Sequence, residues 1–402
     1  MKMSLIYIAS SGLSRMFGFI IALLLGFYFS PAAYAKIGYF MALFGFSSAI
    51  SGFATIPAFA KQFYEETYEN ILLILIWIVG ISLILGTIFS AFLFFLNYSG
   101  YYIIAIYSGI FFFLFQFVQL EYRIKLKPLF YVINELIRGL LLFLIFFSLS
   151  YIFGFHIQFY FYAFLLSILL PALPFICKVL IFFWQKKLAI PQRLKEVLTT
   201  GLLILPTVFF SSFVNFSGRF FLGYTTDKSA VGVYSFCCIF GQIVAALSDA
   251  LFNAYQPVFY KYNQSDPALT RRHFFYSMLL MGGFSLGLYL FLYVCSPYFP
   301  QEYALYLQDK TVLLMIIMGF ALRSIYQFQN LYFILVCRSY YITAAGFIGF
   351  MASLIASVLI IPTWGARGAA ICLFIGFFIT SASSMLFYYA VKPRGLNKLQ
   401  EF

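Results

Sequence analysis

The chain has 402 residues, of which 64% are hydrophobic and only 9% charged. A soluble domain carries about 25% charged residues, so this chain cannot build a water-facing surface and reads as a polytopic membrane protein. Lys and Arg outnumber Asp and Glu by 25 to 12, and the placement of that excess accounts for it without nucleic acid.

A helix crosses a hydrocarbon core about 30 Å thick with about 20 apolar residues. Apolar runs between breaks of charge, Pro or Gly predict twelve such helices. The first six cover 5–29, 35–59, 71–96, 101–120, 130–152 and 159–183. The second six cover 199–224, 231–252, 273–296, 311–336, 340–361 and 367–391. The runs are too long for barrel strands and lack two-residue alternation. The first run is also over-long for a cleavable signal peptide, and further spans follow it. With the N-terminus inside, 17 of the 25 Lys and Arg fall in inner loops, 4 in outer loops (Lys36, Lys228, Lys310 and Arg367) and 4 within spans. That asymmetry predicts both termini inside. The expected fold is all-α, with a six-helix lobe at 1–190, a second at 191–402, and a central cavity.

Two stretches look weakly repeated. Leu25-Gly26-Phe27-Tyr28, a short turn and Gly38-Tyr39-Phe40 correspond to Leu222-Gly223-Tyr224, a short turn and Gly232-Val233-Tyr234-Ser235. An even number of spans separates the copies, which predicts a parallel repeat of the kind found in transporters.

Charge inside the bilayer costs several kcal/mol, and such residues usually face a protein interior or a watery cavity. Arg15, Arg138, Arg219 and Arg323 lie within spans, and polar residues accompany them at helical spacing. Span seven carries Ser211, Asn215 and Arg219; span ten carries Arg323, Gln327 and Asn330; span eight carries Gln242, Asp249 and Asn253. Span one pairs Ser11 with Arg15, and span two has Ser47, Ser51 and Thr55. The Ser, Thr and Gly positions read first as helix-packing contacts; the Arg stripes read as the walls of a cationic pathway. Arg stays charged and holds phosphate through paired N–H donors, so an anionic passenger is expected. Arg138 has Glu135 three residues away and an ordinary helix-surface pair as its rival reading. Pro206 in span seven, and Pro171 and Pro174 in span six, predict kinks.

No phosphate-binding Gly-x-x-x-x-Gly-Lys loop, metal-spaced His/Cys cluster or Gly-x-Ser-x-Gly elbow occurs. The longest outer connection, Pro297–Lys310, is too short for a folded catalytic unit. A transporter without cofactor or metal is expected, not an enzyme.

The stretch Ile360-Ile361-Pro362-Thr363-Trp364-Gly365-Ala366-Arg367-Gly368-Ala369-Ala370 resembles a signature of O-antigen and polysaccharide flippases. These belong to the multidrug/oligosaccharidyl-lipid/polysaccharide (MOP) exporter superfamily. Gly218-Arg219-Phe220-Phe221-Leu222-Gly223 followed by Val231-Gly232-Val233-Tyr234-Ser235 resembles a second element, with Gly218 standing where that family often has Asp. Asn253-Ala254-Tyr255-Gln256-Pro257 and the opening Ser14-Arg15 are also similar. The resemblance implies alternating-access transfer of an undecaprenyl-pyrophosphate-linked oligosaccharide across the bacterial inner membrane. A polysaccharide polymerase and a chain-length regulator would be its partners. It implies that Arg15, Arg219 and Arg323 attract the pyrophosphate, and that Asn215, Gln242, Gln327 and Asn330 bond sugar hydroxyls. Arg138 is a weaker member of the set, and Asp249 a candidate for proton or sodium coupling. The alternatives are a lipid II-type flippase, which commonly has two further helices, a multidrug antiporter, which would want deep carboxylates, or a membrane polymerase or ligase.

Overall fold

The computed structural model describes residues 16–125, 127–185, 190–262, 267–335, 338 and 340–395. Among them every regular element is helical. We number the helices α1 (Met16–Tyr28), α2 (Pro31–Ile50), α3 (Ile56–Glu65), α4 (Tyr68–Phe95), α5 (Gly100–Ile124), α6 (Pro128–Phe153) and α7 (Ile157–Gln185). The rest are α8 (Leu194–Thr225), α9 (Lys228–Tyr262), α10 (Pro267–Cys295), α11 (Gln301–Leu307), α12 (Lys310–Leu335) and α13 (Tyr340–Gly395). Among the described residues ten helical stretches are long and apolar enough to cross a membrane, the α2–α3 run and α13 each counted once. The chain is a multi-pass membrane protein.

The ends of these helices carry local signals. The Thr67 hydroxyl caps α4 by accepting from the Asn70 amide, and Pro128 opens α6, where a missing N–H costs nothing. Gly154, with φ 83°, ends α6 in a conformation that favours glycine. Their outward faces are hydrocarbon: Ile88, Phe92 and Phe95 on α4 are exposed, Phe95 to 81%. In a membrane those side chains meet acyl chains, which explains much of the chain's aromatic content.

Three features of these helices have physical causes. The predicted span 35–59 is α2 and α3 separated by a short turn, Ser51–Ala54, in which Gly52, Phe53 and Ala54 all have positive φ. Phe113 packs so closely on Gly52 that a Cβ there would collide with its ring. The backbone groups freed by the break are satisfied internally, as hydrocarbon requires: the Gly52 amide donates to Ser82 Oγ at 3.1 Å, and Thr55 Oγ1 donates to the Gly52 carbonyl at 2.5 Å. The connection 297–310 contains the short helix α11, whose Tyr306 is buried. Finally, α13 is two helices broken at Gly365 (φ 54°, ψ −128°). A straight helix would hold Gly349 and Thr380 about 45 Å apart at 1.5 Å per residue, yet a Cβ on Gly349 would collide with the Thr380 hydroxyl. The last two predicted spans are therefore an antiparallel pair, and the Pro-Thr-Trp-Gly-Ala-Arg-Gly signature is its turn. Arg367 in that turn pairs with Asp309.

The helices form two compact units, one built around Tyr39–Ser212 and the other from Ala22–Gly38 with Phe213–Phe402. In the first, Phe59, Phe113, Phe117 and Phe175 form the centre of a core shared by α3, α4, α5 and α7, with Leu194 and Val197 of α8. At its end Arg193 pairs with Glu65 at 2.9 Å and Glu66 at 2.8 Å, and Lys61 with Glu196 at 3.2 Å, joining α3 to the start of α8.

In the second unit the α1–α2 turn lies against α9. Tyr306 Oη donates to the Phe29 carbonyl at 2.5 Å and Tyr303 Oη to the Leu23 carbonyl at 3.1 Å. The glycines of the two similar sequence stretches meet there: Gly38 abuts Ser235, and Gly232 abuts the Pro31 carbonyl, in each case too closely for a Cβ. Gly232→Ala should therefore lower stability by about 1–3 kcal/mol through overpacking. By contrast Gly80→Ala, whose Cβ meets nothing within 4 Å, should be neutral or stabilising by up to about 1 kcal/mol. Thermal unfolding in detergent compares the two.

Candidate functional site

On α8, Asn215 and Arg219 stand one turn apart, and Arg219 is only 2% exposed. Its guanidinium carbon lies 5.4 Å from the centroid of the Phe216 ring and 5.8 Å from that of Tyr234 on α9. Nη1 donates to the Asn215 carbonyl at 3.5 Å, a long bond, and the buried Nε has no acceptor. No acidic side chain pairs with Arg219 among the described residues. Two cation–ring contacts contribute about 0.5–2 kcal/mol each, less than the several kcal/mol lost when an ion leaves water. The place where the related signature often has Asp is filled differently here: a Cβ on Gly218 would already meet Tyr234 Oη at 3.1 Å. The tyrosine ring occupies the space a neighbouring carboxylate would need, so the cation keeps its positive potential.

On α12, Arg323 is half-buried and forms no ion pair among the described residues. One turn on, Gln327 is engaged at both ends of its amide: its Nε2 donates to Asp249 Oδ1 and its Oε1 accepts from Ser248 Oγ, both at 3.1 Å. Asn330 is half-buried with its Oδ1 unpaired. On α9, Gln242 is exposed and Asp249 is half-buried against Gln327; the side chain of Asn253 lies outside the described residues. The sequence reading placed Gln327 among sugar-binding groups and Asp249 as a coupling acid, and the structure brings these two together as a polar tie between α9 and α12. Arg138 on α6 donates to Glu135 Oε2 from Nε (3.3 Å) and Nη2 (3.1 Å), and its guanidinium lies 5.5 Å from the Phe115 ring. It makes the local pair foreseen as its rival reading. Arg15 lies outside the described residues.

Two features escaped the sequence reading. Lys61 and Arg193 were counted only as topology signals, whereas they hold α3 to α8. The left-handed break at Ser51–Ala54 had one visible cue, the Ser51-Gly52 pair, but glycine is common in membrane helices and the cue is weak. Unwound segments are a recurrent feature of transporter helices.

No family model matches the chain, and no curated protein does either. Solved structures do match. A lipid II flippase, MurJ, in an inward closed conformation has a TM-score of 0.74 at 15% identity, covering 96% of this chain and 87% of that one. An inward-facing multidrug-resistance transporter of the MATE family, in the MOP superfamily, has a TM-score of 0.63 at 14% identity, covering 98% and 96%. A MOP-superfamily transporter from Pyrococcus furiosus, described by the reverse polarity of its binding pocket, has a TM-score of 0.63 at 14% identity, also covering 98% and 96%. The fold is that of MOP-superfamily transporters. The MOP-type fold implied by the short motifs is thus matched over nearly the whole backbone.

The Asp249–Gln327 tie yields a direct expectation. Asp249→Asn keeps an acceptor for Gln327 and should unfold within a degree or two of the unsubstituted protein, whereas Asp249→Leu strands a half-buried amide and should cost about 1–3 kcal/mol. Thermal unfolding of the two purified variants distinguishes these outcomes.

Proposed function

We propose that the chain is a flippase for a polyprenyl-pyrophosphate-linked oligosaccharide of the O-antigen or related surface-polysaccharide class. On this reading it works by alternating access in the bacterial inner membrane, with both termini in the cytoplasm. The lobes 1–190 and 191–402 rearrange around the substrate head, and a polymerase and a chain-length regulator take the product onward.

The observation that carries the reading is Arg219: a guanidinium 2% exposed, inside a membrane helix, with a buried Nε and no acidic partner among the described residues. A buried cation without a counter-charge is costly to keep and is retained where something negative visits. Paired N–H donors suit a phosphate. Arg323, also without an ion pair among the described residues, is the second cation on this route, and Arg15 completes the set read from the sequence. Asn215, Gln242 and Asn330 supply amides for sugar hydroxyls. Asp249 counts against a multidrug antiporter, since Gln327 already holds this deep carboxylate. The lipid II flippase among the structural neighbours shares the fold and moves a lipid-linked substrate by its name.

Charge reversal tests the reading. In proteoliposomes loaded with a polyprenyl-pyrophosphate oligosaccharide, Arg219→Glu and Arg323→Glu should each cut transfer at least about tenfold, equivalent to about 1.4 kcal/mol. Arg219→Lys should retain part of the activity, because Lys keeps the charge but loses the paired donors. Full transfer by both reversed variants at normal folding would refute the cationic route.

A further inference from the structure

A second feature of the structure lies away from the Arg stripes. Between α9 and α10 runs a cavity of about 670 Å³ lined by Leu247 of α9 and Tyr276, Leu279, Leu280, Gly283 and Phe284 of α10. That volume falls within the range of about 300–1,000 Å³ typical of small-molecule sites. Its walls are hydrocarbon and aromatic. A sugar hydroxyl placed there would lose water without gaining a partner, whereas a hydrocarbon chain would lose nothing.

Helix α10 gathers three uncrowded glycines. Many glycines elsewhere let helices touch: a Cβ on Gly241 would collide with Phe320, and one on Gly319 would crowd Leu373 at 2.5 Å, although Gly18, Gly80 and Gly100 have open space. On α10 a Cβ at Gly282, Gly283 or Gly287 meets nothing within 4 Å. Close helix approach, the usual reason for small residues in membrane helices, does not explain them. Gly283, which lines the trough, deepens it.

At one end of the trough stands a cation. Arg272, one turn before Tyr276 on α10, is exposed; its Nε donates to Tyr276 Oη at 3.1 Å, and its guanidinium carbon lies 5.4 Å from the centroid of that ring. Tyr276 therefore lines the trough and fixes the guanidinium at its mouth.

We propose that the α9–α10 trough seats the polyprenyl chain of the lipid-linked saccharide, with Arg272 holding the phosphate at its mouth; this rests on the substrate class proposed above. An apolar slot ending in a cation matches an amphiphile whose phosphate joins its chain directly. A single slot matches one chain, whereas a diacyl phospholipid brings two. The lysine and arginine asymmetry assigns Arg272 to the cytoplasmic end, where a lipid-linked saccharide is loaded. The saccharide itself stays outside the trough and is left to the polar stripes of α8 and α12.

The test uses the full chain in nanodiscs with a polyprenyl monophosphate carrying a photoreactive group on its chain. Gly283→Leu fills the trough; its side chain enters open space and improves helix propensity, so the variant should fold, and Leu280→Trp is a second filling variant. The expected result is labelling on α9 and α10, reduced at least about tenfold by either filling variant and severalfold by Arg272→Gln, with thermal stability unchanged. Undiminished labelling in both filling variants would overturn the inference, as would equal competition by phosphatidylglycerol, which would mark an ordinary lipid seat. Transfer assays separate this from the function itself. If filling the trough leaves labelling intact while Arg219→Glu still blocks transfer, the trough fails and the flippase reading stands. If the unsubstituted protein transfers no polyprenyl-linked saccharide, the flippase reading fails with the trough inference that rests on it.

Discussion

Hydrocarbon offers no hydrogen bonds, so a polar group inside the bilayer must be satisfied by the protein itself. The helix break at Ser51–Ala54 obeys this rule through Ser82 and Thr55. Gln327 obeys it through Ser248 and Asp249, and Arg138 through Glu135. Arg219 does not. Its buried Nε lacks an acceptor, and two aromatic faces stand where a carboxylate would neutralise it. Neutral groups such as Gln119 and Tyr234 Oη also lie buried without a partner; what sets Arg219 apart is that the unsatisfied group carries a charge.

The same rule sorts the glycines. Gly38, Gly232 and Gly241 are small because a backbone, a serine or a phenylalanine presses on them. Gly365 is required for a different reason, the positive φ that turns the last helix back on itself. The α10 glycines answer to neither, and one of them, Gly283, lines an apolar trough with Arg272 held by Tyr276 beside it. On the proposed reading, polar stripes for a charged, hydroxylated head and a hydrocarbon slot for a chain are complementary demands of one amphiphile. A lipid-linked saccharide presents both.

Much of the fold could be read in the sequence because span length and polarity are local properties. The predicted spans 130–152 and 273–296 lie within a few residues of α6 and α10, since charge and Pro mark their ends. The signature at 360–370 was recognisable, yet only the folded chain explains it: Gly365 supplies the turn, Gly368 lies against the Ile360 carbonyl, and Arg367 finds Asp309. The candidate site was read less completely. Helical spacing put Gln327 on the stripe of Arg323 but could not say that Asp249, 78 positions earlier, would take its amide.

By itself the sequence determined that this is a helical membrane protein and which runs are long and apolar enough to cross the bilayer, because hydropathy acts over a helix's own length. Tertiary structure decided which polar groups are spent on one another and which remain open. It alone set Asp249 against Gln327, left Arg219 beneath the Tyr234 ring, broke α2 from α3, and opened the trough beside α10. Those outcomes depend on residues distant in sequence meeting at a few ångströms, and no periodicity along one helix encodes which neighbour will arrive.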